Sequence, residues 1–141
     1  MKILLIRYHD INNINTRLPQ SLNKIQGLLP PLGISYIAAF LEKKGYDVRV
    51  LDAQALGLTK NETHNFIKNL RPDIVGITSM TSNVWGAFEA ARIAKETGAV
   101  TVLGGPQLAH FPKETLSNDF VDFGISGEGE HSFYNLVKSF D

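Results

Sequence analysis

Five apolar runs of strand length recur along this chain, and between them apolar residues fall every three or four positions, as on one face of a helix. Lys2-Ile3-Leu4-Leu5-Ile6 predicts the first strand, and residues 46–51 the second, which ends at Asp52. The third opens at Asp73 with Ile74-Val75-Gly76-Ile77, rich in β-branched residues and without alternation, as suits a strand covered on both faces. It then switches to Thr78-Ser79-Met80-Thr81-Ser82-Asn83, so a buried strand is expected to end in a polar tip. Residues 99–103 and 121–125 predict the fourth and fifth strands.

The helical stretches carry recognisable starts and stops. Pro30-Pro31-Leu32-Gly33 begins one, with Leu32, Tyr36, Ile37, Phe40 and Leu41 expected on its core face and Lys43-Lys44-Gly45 ending it. Residues 61–70 predict a second helix, capped by Thr59 or Asn61 and ended by Arg71-Pro72, with Phe66, Ile67 and Leu70 facing the core. Residues 84–97 predict an alanine-rich helix stopped by Gly98, residues 113–116 a helical turn, and residues 132–140 a last helix. Between the first strand and the first helix, residues 7–30 form a long polar connection with four asparagines; connections of that length tend to carry function.

Strands alternating with helices imply an α/β domain built on a parallel sheet, with right-handed crossovers and helices on both faces. Five strands in one domain favour the doubly wound order 2-1-3-4-5, with the third strand in the middle. Ligands bind such sheets at the carboxyl ends of the strands. Here that rim is formed by residues 7–12, 79–83, 104–107 and 127–130. Ser79, Thr81 and Ser82 offer hydroxyls to a ligand or caps to the next helix, and Gly104-Gly105 is either a plain turn or a bare stretch of backbone that something flat can approach.

Composition narrows the function. At 141 residues with 43% hydrophobic content, the chain fits one domain with a core of its own. Fourteen basic residues balance fourteen acidic ones, with no basic run, so the charge that nucleic-acid binding needs is missing. There is no cysteine, which excludes disulfides, thiolate-bound zinc and an iron–sulfur cluster held by this chain; a reducing cytoplasm is the expected compartment. Arg7 and His9 end the first apolar run too early for a signal peptide or a membrane span. Neither a dinucleotide fingerprint nor a P-loop is present, and Ser79 stands where a phosphate-receiving domain would need an aspartate. The residues after the first strand are not the hydroxyl-rich phosphate loop of a flavin site.

Five motifs, taken in order, carry a resemblance. Leu29-Pro30-Pro31-Leu32-Gly33-Ile34, Asp52-Ala53, the run from Arg71 to Ser79, Val102-Leu103-Gly104-Gly105-Pro106 and Gly127-Glu128-Gly129-Glu130 together resemble the N-terminal cobalamin-binding domain of B12-dependent radical SAM proteins. The resemblance implies a flavodoxin-like (Rossmann-like) three-layer sandwich that holds the corrinoid face-on at the strand tips, with its nucleotide tail beside the sheet. It implies cofactor contacts from Ser79, Met80 and Thr81, from Gly104, Gly105 and Pro106, and from Gly127, Glu128 and Gly129. Cobalamin domains that ligate cobalt carry Asp-x-His-x-x-Gly after the first strand, the aspartate orienting the histidine. This chain has Arg7-Tyr8-His9-Asp10-Ile11-Asn12 at that spacing. An arginine cannot accept the imidazole proton, and many radical SAM relatives lack this histidine, so the resemblance implies base-off binding, with His9 an exposed loop histidine and no metal ligand from the protein. His110, beyond Gly-Gly-Pro on a tip loop, is read as a surface residue.

The three-cysteine motif of a radical SAM domain is absent. Residues 1–141 are therefore expected to be the cobalamin-binding part of a longer methyltransferase or cyclase, presenting the corrinoid to a C-terminal radical SAM domain in cis. S-adenosylmethionine and a [4Fe-4S] cluster would belong to that parent only. The rival expectation is a non-catalytic regulatory or interaction module on the same fold, with Trp85 and the 7–30 segment as docking elements.

Overall fold

The computed structural model describes residues 1–9 and 29–141. Most of the 7–30 connection therefore lies outside the described residues, as do Asp10, Ile11 and Asn12 of the strand-one tip. The elements run β1 (Lys2–Arg7), α1 (Leu32–Lys43), β2 (Asp47–Asp52), α2 (Lys60–Leu70), β3 (Ile74–Thr78), a 3-10 turn (Thr81–Asn83), α3 (Val84–Glu96), β4 (Val100–Gly104), α4 (Pro106–His110), α5 (Pro112–Leu116), β5 (Phe123–Ile125) and α6 (Gly129–Lys138). All five strands are parallel, in the order β2-β1-β3-β4-β5, which is the expected α/β topology.

Two hydrophobic layers sandwich the sheet. Successive side chains of a strand point to opposite faces. Leu4, Ile6, Val75, Ile77 and Leu103 therefore join α2 and α3, packing on Ile67, Ala87, Ala90, Ala91 and Ala94. Ile3, Leu5, Ile74 and Val102 join α1 and α6, packing on Ile34, Ala38, Leu41, Phe133 and Val137. Arg7 ties the tip of β1 to its neighbours: its guanidinium pairs with the Asp52 carboxylate, and its Nη1 donates to the Leu29 carbonyl at 2.8 Å. The approach to α1 is thereby fastened to the sheet rim.

Local signals set the helix ends. Thr59 and Glu62 form a capping box at α2, with Thr59 N donating to Glu62 Oε2 at 2.7 Å and Glu62 N to Thr59 Oγ1 at 3.2 Å. The chain leaves α1 and α3 through Gly45 and Gly98, at φ of 90° and 83°.

Three expectations need correction. The buried face of α1 is Ile34, Ala38 and Leu41, while Leu32 and Tyr36 are exposed and Ile37 and Phe40 lie on the flank. Apolar residues nearly encircle this helix, so periodicity alone left its phase open. Packing turns the small Ala38 to the sheet and Phe40 toward α6, where its ring stands 5.9 Å from that of Tyr134. Secondly, Gly105-Pro106 does not lead into open loop but starts α4, with Pro106 at its first position. Thirdly, α6 begins at Gly129 rather than residue 132, so Gly129 and Glu130 are its first turn and not a loop.

Candidate functional site

A cavity of about 170 Å³ opens at the carboxyl edge of the sheet, on the α1/α6 side. Strand register explains its walls. Thr78, Gly104 and Ile125 stand in one row across β3, β4 and β5, and Leu5, Gly76 and Val102 form the row two residues deeper, across β1, β3 and β4. Opposite the sheet, α1 contributes Gly33, Ile34 and Ile37, and α6 contributes Gly129, Glu130 and Phe133. Gly127 and Glu128 close the mouth beside β5.

Glycines shape this site in three ways. At Gly76 a Cβ would stand 2.6 Å from Leu5 Cδ2 and 2.8 Å from the Phe133 ring, so the missing side chain lets that ring lie against the middle of β3. A Cβ on Gly104 would meet only the Ile125 carbonyl, at 3.5 Å, and those on Gly33 and Gly127 would meet nothing within 4 Å; these three leave open backbone toward the cavity. Gly105 is different, because its φ of 100° and ψ of −175° suit glycine almost alone, and a Cβ there would sit 2.6 Å from the Ser79 carbonyl. That close approach stitches the tips of β3 and β4 together: Ser79 N donates to Gly104 O at 2.8 Å and Gln107 N to Ser79 O at 3.1 Å.

Of the nine residues singled out from the sequence, the structure brings Gly104, Gly105, Gly127, Glu128 and Gly129 to the cavity. Ser79, Met80, Thr81 and Pro106 lie on the adjacent tips but do not line it. Ser79 is fully buried, and its hydroxyl, like Tyr8 Oη and Gln107 Oε1, has no hydrogen-bond partner among the described residues. Burial, aided by the charge of Glu89, pushes the Tyr8 phenol up to about 12, so it stays protonated. Met80 is 53% exposed at the rim.

Lining residues absent from the sequence-based set include Thr78, Gly76, Leu5, Val102, Ile37 and Phe133. Counting by twos along β3 would have found Thr78, which shares a face with Gly76 and lines the cavity. His9 is half-buried rather than exposed and lies on the other side of the sheet. Its Nε2 is 3.4 Å from Thr63 Oγ1 of α2, its ring meets Tyr8 edge-on with centroids 4.8 Å apart, and its carbonyl packs on Gly86 of α3. His110, at the end of α4, is exposed.

Comparison with known proteins gives this geometry a context. The family described as B12 binding domain matches residues 21–137. An uncharacterized methyltransferase of Pyrococcus horikoshii is 37% identical over 113 residues, covering 78% of this chain and 24% of that protein. The anaerobic magnesium-protoporphyrin IX monomethyl ester cyclase of Rubrivivax gelatinosus is 36% identical over 122 residues, covering 84% of this chain and 22% of the cyclase. The chain thus spans less than a quarter of the length of these curated relatives. The cobalamin-dependent S-adenosylmethionine radical enzyme OxsB, solved with aqua-cobalamin and S-adenosylmethionine bound, shares the fold: the TM-score is 0.72 at 18% identity, over 99% of this chain and 18% of OxsB.

The residues present fit a cobalamin. That cofactor is a broad, flat macrocycle with a tail ending in a bicyclic base. A cavity of about 170 Å³ suits the base and is far too small for the macrocycle, while the bare backbone at Gly33, Gly104 and Gly127 leaves a flat rim above it. With the motif order, the topology and the matched span in agreement, the chain belongs to the B12 binding domain family.

Proposed function

We propose that the domain binds cobalamin with its nucleotide tail in the α1/α6-side cavity and its corrin ring on the carboxyl rim, and presents it to a radical SAM domain of methyltransferase or cyclase type in the same protein. The glycine-walled cavity beside β3 and β4 is the observation that carries this reading. Gly104, Gly105, Gly127, Glu128 and Gly129 would hold the tail together with Thr78 and Phe133. Met80, Thr81 and Pro106 would form the rim under and beside the ring, with Ser79 buried beneath them. Bound cobalamin supplies a cobalt centre able to carry a methyl group. The chain's own part is to bind, orient and shield it.

His9 leaves the cobalt without a protein ligand in this reading, because its ring packs on Tyr8 and α2, across the sheet from the cavity. The large apolar side chains left uncovered on the carboxyl edge, Leu32, Met80 and Trp85 at 63%, 53% and 61% exposure, support a covering partner there. The curated relatives' names, methyltransferase and cyclase, favour a catalytic parent, with S-adenosylmethionine and a [4Fe-4S] cluster held outside this chain. The cytoplasm is the proposed compartment, and no nucleic acid is needed. Among the described residues, no helix is long and apolar enough to cross a membrane.

Titration with hydroxocobalamin and methylcobalamin, followed by absorption spectroscopy, tests the reading. Saturable binding with a base-off spectrum is expected, abolished by Gly104→Trp and unchanged by His9→Ala. A spectrum altered by His9→Ala would overturn the unligated cobalt, and an unaffected Gly104→Trp would overturn the placement of the tail.

A further inference from the structure

We infer that the cavity selects among cobamides by their lower base, accepting a benzimidazole with a hydrocarbon edge and discriminating against a purine. The inference rests on the placement of the tail proposed above and adds to it a ligand preference set by the deep end of the cavity.

Strand register sets the depth of the site. The two rows of the sheet wall are two residues apart, about 6.6 Å, which is close to the depth of a bicyclic aromatic ring. The upper row holds Thr78 with its hydroxyl, Gly104 and Ile125; the deep row holds Leu5, Gly76 and Val102 and has no side-chain heteroatom. Facing the deep row are Phe133, buried at 3%, and Ile34, also buried. Among the described residues, the two carboxylates that line the site are at its mouth: Glu128 precedes α6, and Glu130 sits in its first turn, three residues ahead of Phe133. Backbone groups do not supply the missing polarity below, since Leu5, Gly76 and Val102 all lie within paired strands.

A bicyclic base seated here therefore meets polar partners along its outer edge and hydrocarbon along its inner one. Dimethylbenzimidazole carries two methyl groups on the ring edge away from its sugar, and these match the Leu5, Val102 and Phe133 surface. Adenine carries an amine and a ring nitrogen on the corresponding edge, which this floor leaves without partners. Each polar group buried unpaired weakens binding on the order of 10-fold. An adeninylcobamide is thus expected to bind about 10- to 100-fold more weakly than cobalamin.

The experiment compares dissociation constants of the full chain for cobalamin, adeninylcobamide and cobinamide, which lacks the nucleotide, by spectroscopic titration. Val102→Thr keeps the shape of a deep-row residue while adding a hydroxyl, and serves as the variant. The expected order is cobalamin tightest, with adeninylcobamide losing its tenfold or greater deficit at least in part in Val102→Thr. Equal affinities for cobalamin and adeninylcobamide in the wild-type chain would overturn the selectivity while leaving cobalamin binding intact. Cobinamide binding as tightly as cobalamin would remove the tail from the cavity, and no saturable binding of cobalamin would remove both readings. If Val102→Thr does not fold, the wild-type ratio still decides.

Discussion

Gly105→Ala is expected to destabilise the fold far more than Gly104→Ala, although the two glycines are neighbours in one motif. Gly105 holds φ of 100° and ψ of −175°, a region costing a residue with a Cβ about 1–3 kcal/mol. Its new Cβ would also lie 2.6 Å from the Ser79 carbonyl, a backbone atom that cannot swing away. Relieving that contact stretches the bond from Gln107 N to Ser79 O or from Ser79 N to Gly104 O, each with a net contribution of about 1 kcal/mol. Together these give a loss of about 2–4 kcal/mol. At about 3 °C per kcal/mol for a chain of this size, the melting temperature should fall by roughly 6–12 °C. At Gly104 the backbone is ordinary and the Cβ would meet one carbonyl at 3.5 Å, so the alanine variant should stay within about 1 kcal/mol of wild type. Urea unfolding at pH 7, followed by far-ultraviolet circular dichroism, measures both changes. A Gly105→Ala protein within 0.5 kcal/mol of wild type, taking that as about the noise of a surface change, would mean that neither the backbone angle nor the Ser79 contact constrains this turn.

Two further outcomes follow from the packing and the charges. Phe133→Ala removes the ring lying against Gly76, and should cost about 3–5 kcal/mol by urea unfolding; a loss under about 1 kcal/mol would mean that the α6 contact collapses without a void. Asp122 accepts from Lys95 Nζ at 2.5 Å, from Thr101 N at 2.8 Å and from Thr101 Oγ1 at 3.1 Å; burial alone would raise its pKa, but these donors together hold it below the ordinary 3.8. The folded carboxyl thus holds its proton more weakly than the unfolded one, so its stabilisation is complete above that value and is lost as the pH falls below it. Asp122→Asn should cost about 1–2 kcal/mol at pH 7, and melting curves of the two proteins should converge in acid; a gap that stays constant would refute the pairing.

The layout could be read from the residues alone. Apolar runs without alternation in β1, β3 and β4 reported strands covered on both faces, and alternating strands and helices left few topologies open, so the parallel 2-1-3-4-5 sheet and its carboxyl rim were legible. The motif order also pointed to cobalamin and to a glycine-rich rim. Facing and depth came from packing. Whether Thr78 or Ser79 lines the cavity depends on the β3 pleat carried to its tip, and a hydroxyl residue at either position reads alike in sequence. The phase of α1 was settled by what it packs against, since its own apolar residues nearly surround it. The cavity floor joins Leu5, Gly76, Val102 and Phe133 from four elements, which are neighbours only because parallel pairing aligns three strands and α6 returns over them. His9 was placed across the sheet for the same reason: a spacing motif records distance along the chain, whereas the face on which a side chain packs is settled by the layers around it.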